Sequence, residues 1–156
     1  MKSVRYFSIL ILFCLSKVTL AQAKNNEPIW ITFEQLNDSL QINPKKVLLF
    51  IHTDWCSYCK KMMKETFNDS RVHLKLTNDY HCINIDAENV AEINFEGIIY
   101  HNDSLTKKRG QYHQLAKLFI KNQNPTLPIT ILLNSDFSIT NYKDKYLSIN
   151  ELLKIL

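Results

Sequence analysis

The sequence is poor in cysteine, in net charge and in long apolar runs, and each shortage excludes a class of protein. Four cysteines occur in 156 residues. One of them, Cys14, lies in an N-terminal segment that reads as removable, leaving Cys56, Cys59 and Cys82. Three are too few for a disulfide-built scaffold, and a core of this size folds without staples. The formal charge of +4 also sits largely in that segment, which holds Lys2, Arg5 and Lys17 and no acidic residue. Of 19 Lys/Arg and 15 Asp/Glu in the whole chain, the remainder keeps 16 and 15. A chain so near neutrality gives no basis for a nucleic-acid surface. A second Cys or His pair at the spacing of a zinc knuckle is missing as well. His81 and Cys82 are adjacent and would point to opposite faces of a strand. His52, His73, His101 and His113 are scattered. No metal site is expected, and no internal repeat or low-complexity tract is present.

What is there begins with an export signal. Lys2 and Arg5 make a positive start, Tyr6–Leu15 is an apolar run, and Ala21-Gln22-Ala23 offers a small-x-small cleavage site. The run is about ten residues, where a bilayer span needs about 20, so an uncleaved anchor is disfavoured. Phe13 ahead of Cys14 argues against a lipoprotein signal. The expected organisation is a signal peptide over 1–23 and one domain over 24–156, periplasmic or secreted, in an oxidising compartment.

Thr32-Phe33-Glu34-Gln35 predicts a capping box, with Phe33, Leu36 and Leu40 at helical spacing and Asn43-Pro44 as the stop. Lys46–His52 predicts a strand buried on both faces, as in a parallel sheet. Helices are expected over Ser57–Thr66 and Ser70–Thr77, and a strand over Tyr80–Asp86. Residues 93–101 alternate around Gly97 and predict a hairpin. Asn102–Arg109 is polar and predicts a loop. Tyr112, Leu115, Ala116 and Phe119 form an i, i+3, i+4, i+7 stripe that predicts a core-facing helix over Gly110–Asn122. Ile129–Leu133 and Ser138–Tyr142 predict two strands around the turn Asn134-Ser135-Asp136. Ser148 predicts the cap of a closing helix. This order describes an α/β layered domain.

The stretch Asp54-Trp55-Cys56-Ser57-Tyr58-Cys59-Lys60 carries the chemistry. A CxxC pair that follows a buried strand and opens a helix places Cys56 at the helix's free N–H groups and positive dipole end. A thiolate is stabilised there, and the cysteine pKa falls from about 8.5 toward neutrality or below. Cys59 comes one turn later, placed to resolve a mixed disulfide on Cys56. Two other uses of the spacing stay open: half of a zinc site, and a static disulfide, which stabilises little because its loop is tiny. Lys60, Lys61 and Lys64 read either as added positive charge at the site or as a solvated helix face. Cys82 reads as a small buried residue of a central strand, or as a third redox partner near Cys59.

The chain resembles the thioredoxin superfamily over nearly all of 24–156, most closely its exported bacterial members. The resemblance rests on VLLFIHTDWCSYCKKM (47–62), ETFNDSRV (65–72), CINIDAE (82–88) and LPITILLN (127–134). It implies a thioredoxin-like fold: a central mixed sheet flanked by helices, with an inserted hairpin and helix before a cis-proline. It implies a thiol–disulfide oxidoreductase in which Cys56 attacks and Cys59 resolves, with no cofactor beyond the cysteine pair. Trp55 matches the tryptophan flanking the site and Pro128 the cis-proline, with Ser57, Tyr58 and Leu127 completing the substrate-facing set. The implied partners are protein dithiols and disulfides, and a membrane or periplasmic redox partner that resets the pair. The insert over 94–123 is expected to set partner choice or merely to extend the sheet.

Some positions depart from the family pattern. Phe50 stands where many members bury a carboxylate that serves Cys59 as proton relay, and Cys82 where thioredoxin has the lysine that partners it. His52 and Asp54 are the nearby candidates to replace the relay. Lys145 stands where glycine is common beside the substrate groove, and Ser57-Tyr58 matches none of the best-known dipeptides that tune the potential. Phe50 and Lys145 favour the alternative: a non-catalytic, peptide-binding module with a static disulfide.

Overall fold

The computed structural model describes residues 29–156, so the signal peptide expected over 1–23 lies outside the described residues. The chain runs through a short edge strand β1 (Trp30–Ile31), helix α1 (Phe33–Ile42), strand β2 (Lys46–His52), helix α2 (Ser57–Lys61), helix α3 (Ser70–Asp79) and strand β3 (Tyr80–Asp86). There follow the hairpin strands β4 (Ile93–Phe95) and β5 (Ile98–Tyr100), helix α4 (Gln114–Lys117), strands β6 (Ile129–Leu133) and β7 (Ile139–Lys143), and helix α5 (Ile149–Ile155). The central sheet has the order β1-β3-β2-β6-β7. Strand β2 pairs parallel with β3 and antiparallel with β6, so the sheet is mixed.

Strand β2 is the axis of the molecule. Five successive residues, Val47 to Ile51, are at most 2% exposed, and the pleat sends neighbours to opposite faces. Val47, Leu49 and Ile51 join Phe33 and Leu36 of α1, Ile129 and Ile131 of β6, and Leu115 and Ala116 in one core layer. Leu48 and Phe50 join Cys56, Cys59, Met62, Phe67, Val72, Leu76, Cys82 and Leu152 in the other. The CxxC pair therefore belongs to the layer formed with α2, α3 and α5. Phe50 is fully buried there, its ring edge-on to Phe67 at 4.9 Å between centroids and tilted against Trp30 at 6.1 Å.

Most predicted elements are present, and their ends follow from local chemistry. Thr32 and Gln35 form the capping box of α1, and Ser148 and Glu151 form a second one at α5. The hairpin turns at Glu96 and Gly97, both with positive φ (52° and 76°), as a two-residue type I′ turn requires; glycine suits the second place because it has no Cβ to clash. Three elements differ from the sequence-based expectation. The helix expected over 57–66 changes at Met62 into a five-residue π-helical turn, Met62–Thr66, where Phe67 N–H donates to Met62 O at 3.0 Å. The helix expected over 110–122 is one turn, Gln114–Lys117, capped by His113. Its apolar stripe is packed as expected, with Leu115 and Ala116 fully buried and Tyr112 and Phe119 against them. Burial from the sheet side holds these residues without a long helix. Strand β1 had no signal, since two residues are too few for a period.

Phe50→Ala removes an aromatic ring from the central strand. Loss of about 3–5 kcal/mol is expected, read as a lowered urea midpoint of the oxidised protein.

Candidate active site

Strand β2 ends at His52, and Thr53, Asp54 and Trp55 lead into Cys56, the N-cap of α2. Cys56 N–H donates back to Thr53 O at 3.2 Å, which tightens the turn. Cys56 and Cys59 form a disulfide with their Cα atoms 5.2 Å apart. The Cys59 N–H donates to Cys56 Sγ at 3.1 Å, and Lys60 N–H donates to Cys56 O. One of the helix's free N–H groups thus points at the first sulfur, the arrangement that favours a thiolate. Both cysteines are nearly sealed, at 5% and 2% exposure. Tyr58 stands out on the surface beside Tyr146, with Lys61 over the Tyr146 ring at 5.3 Å. The Leu127–Pro128 peptide is cis. Pro128 is buried, and Leu127 packs against both core layers, including the one that holds the disulfide.

The segment 102–111 folds back onto this turn. Asn102 closes its base, donating through Nδ2 to Asn89 O and Gln111 O. Lys107 Nζ pairs with the carboxylates of both Asp54 and Asp86. The Lys107 bond and charge hold Asp54 below the usual carboxylate range, and Asp54 in turn raises Lys107. The Arg109 guanidinium lies over the Trp55 ring at 4.0 Å, a cation–π contact. Glu88, only 2% exposed, accepts from Trp55 Nε1 at 3.1 and 3.0 Å and from Gly110 N–H at 2.7 Å. Trp55 is therefore held at its indole N–H and covered on one face, yet remains 44% exposed. His113 is fully buried below the loop. Its Nδ1 accepts from Leu115 N–H and its Nε2–H donates to Ala91 O, which defines a neutral tautomer; burial pushes its pKa down.

A family model described as thioredoxin-like matches residues 29–114. The chain belongs to the thioredoxin-like family. Over 104 residues it is 32% identical to the thiol:disulfide interchange protein DsbD of Campylobacter jejuni, covering 67% of this chain and 17% of that protein. The chain thus matches a small part of that relative's length. Among solved structures, the reduced C-terminal domain of Neisseria meningitidis DsbD aligns with a TM-score of 0.51 at 20% identity, over 78% of this chain and 87% of that one. A disulphide isomerase from Xylella fastidiosa Temecula1 aligns with a TM-score of 0.54 at 13% identity, over 85% and 92%. These two likenesses are of fold.

Within this thioredoxin-like domain, the residues singled out from sequence fall in two groups. Cys56, Cys59, Trp55, Ser57 and Tyr58 share one turn, and Leu127 packs against the same layer. Lys145 is turned to α5, where it pairs with Glu151 at 3.0 Å. Cys82 is a free thiol, 1% exposed, and burial pushes its pKa up to about 12. That burial favours its reading as a packing residue. Among the described residues no cluster of three or more His, Cys, Asp or Glu is placed to hold a metal ion. Glu88, Lys107 and Arg109 were not singled out from sequence. The only local hint was a carboxylate directly after an apolar strand. Their roles depend on a contact between segments about 20 to 50 residues apart.

Glu88→Ala removes the acceptor of two donors. Water can reach half-exposed Trp55, so the cost is at the low end of the range for unpaired donors, about 1 kcal/mol; the Gly110 amide should exchange faster with deuterium. Cys82 should resist alkylation at pH 8 in the folded, oxidised protein and react fully once urea unfolds it, as read by mass spectrometry.

Proposed function

We propose that the protein is a thiol–disulfide oxidoreductase that works outside the cytoplasm, on protein dithiols and disulfides. One observation carries this: the Cys56–Cys59 disulfide sits at the N-cap of α2, with a backbone N–H aimed at the first sulfur. In the reduced protein that N–H stabilises a Cys56 thiolate. The thiolate attacks a substrate disulfide, forming a Cys56–substrate bond and releasing one substrate sulfur as thiolate. Cys59 then attacks Cys56 Sγ, the mixed disulfide breaks, and the second substrate sulfur leaves. Two electrons pass from the cysteine pair to the substrate, and the pair is left oxidised. In the opposite direction the same steps oxidise a substrate dithiol.

Exposed Trp55, Ser57 and Tyr58 and half-buried Leu127, which leads into buried Pro128, form the surface on which the substrate chain is proposed to lie. A redox partner outside the cytoplasm, membrane-bound or periplasmic, would reset the pair. The export signal read in residues 1–23 supports that compartment, and the likeness to DsbD, a thiol:disulfide interchange protein, supports the chemistry. No organic cofactor or metal enters these steps. The static-disulfide alternative draws on the apolar Phe50 in the pair's core layer and on Lys145, which pairs with Glu151 of α5.

Reduction of insulin disulfides by the domain in dithiothreitol separates the two. Turnover is expected in the wild type, with Cys56→Ser reduced to the uncatalysed rate. Cys59→Ser is expected to accumulate a mixed disulfide on Cys56, visible as an added mass. A wild type that resists glutathione buffers and gives no turnover would establish the static module instead.

A further inference from the structure

The resolving step needs Cys59 to lose a proton in a nearly sealed place. Phe50, buried in the same core layer as the pair, has no group that can take it. The pleat of β2 brings the next residue on the same face, His52, into the site. Its ring stacks on Phe50 at 5.8 Å between centroids and 24° between planes. His52 and Cys59 line one cavity of about 410 Å³, with Thr53, Asp54, Lys60 and Lys64 also in its wall. We propose that His52 is the proton acceptor for Cys59 in this resolving step, an assignment that rests on the oxidoreductase reading above.

Several features fit. The cavity is far larger than a water molecule needs, so water held in it can carry the proton between the two side chains. Thr53 also lines the cavity, and its buried hydroxyl has no hydrogen-bond partner in the protein. His52 is neutral when the step begins, because burial dominates its titration and holds its pKa below the ordinary value near 6.5. The charges that face it come from three segments: Asp54 beyond β2, Asp86 at the end of β3, and Lys107 from the folded-back loop. Lys107 pairs with both carboxylates, so they do not trap the ring as imidazolium. Lys60 and Lys64 add positive charge on the cavity wall, which disfavours imidazolium and favours the Cys59 thiolate.

The step balances as follows. Cys59 S–H gives its proton to the lone pair of the unprotonated ring nitrogen of His52, and its sulfur keeps the electron pair of the S–H bond. That sulfur bonds to Cys56 Sγ while the bond from Cys56 Sγ to the substrate sulfur breaks. The substrate leaves as thiolate with the bonding pair. The proton on His52 then passes to that thiolate or to solvent.

Ellman's reagent isolates the step. Mixed with the reduced protein in stopped flow, it should release one thiolate as Cys56 attacks and a second as Cys59 resolves. In the wild type the second, first-order phase should rise with pH through an inflection below 6.5 and then level off. In His52→Gln that inflection should vanish and the second phase should slow roughly 10–100-fold at pH 7, the lower end of general-base effects. The first phase should stay within about twofold. An inflection and rate unchanged in His52→Gln would overturn the assignment. Absence of the first phase in the wild type would instead remove the oxidoreductase reading, and this assignment with it. Should the Gln variant fail to fold by circular dichroism, His52→Ala with added imidazole carries the test. Acceleration of the second phase alone supports the assignment, and no acceleration overturns it.

Discussion

Everything at this site depends on the burial of β2 from both sides. A strand with five sealed residues has no freedom of register: a slip by one would exchange its two faces and place every side chain in the wrong layer. Leu48, Phe50 and His52 are thereby committed to the layer of α2, and Val47, Leu49 and Ile51 to that of α1. The pairing with β3 on one side and β6 on the other locks the strand end in place. Because Cys56 follows that end by four residues, its position inherits the precision of the core.

The second constraint is electrostatic and reaches the site from the insert. Asp54 and Asp86 lie close together, and two carboxylates so placed repel. Lys107 from the folded-back loop pairs with both, while Glu88 and Arg109 hold Trp55 from two directions. The insert therefore does more than lengthen the chain: it builds one wall of the active-site turn. Loop 102–111 thereby holds Asp54 and Trp55 just ahead of Cys56, and leaves Trp55 partly exposed.

The sequence carried the architecture well where a short-range rule applied. The capping box at Thr32, the helix cap at Ser148, the Gly97 turn and the apolar run of β2 each depend on residues a few positions apart, and each appears in the structure. It carried the single-turn α4 poorly, because an apolar stripe reports which residues are buried and not how the backbone gets there. The Tyr112, Leu115, Ala116 and Phe119 pattern is satisfied by a turn laid against the sheet. The π-helical turn at Met62–Thr66 lacked a signal for a similar reason: adding one residue to a turn changes no composition or period that a short window detects.

By itself, the sequence determined the α/β order, the buried central strand and a CxxC pair at a helix start, since all three are encoded in local spacing. Only the tertiary structure decided what surrounds that pair. Glu88, Lys107 and Arg109 reach the turn ahead of it, at Trp55 and Asp54, from segments far along the chain, and His52 shares a cavity with Cys59 because the strand's pleat and the helix's first turn converge there. Contacts between distant segments depend on how the layers close, and no pattern within one segment records that.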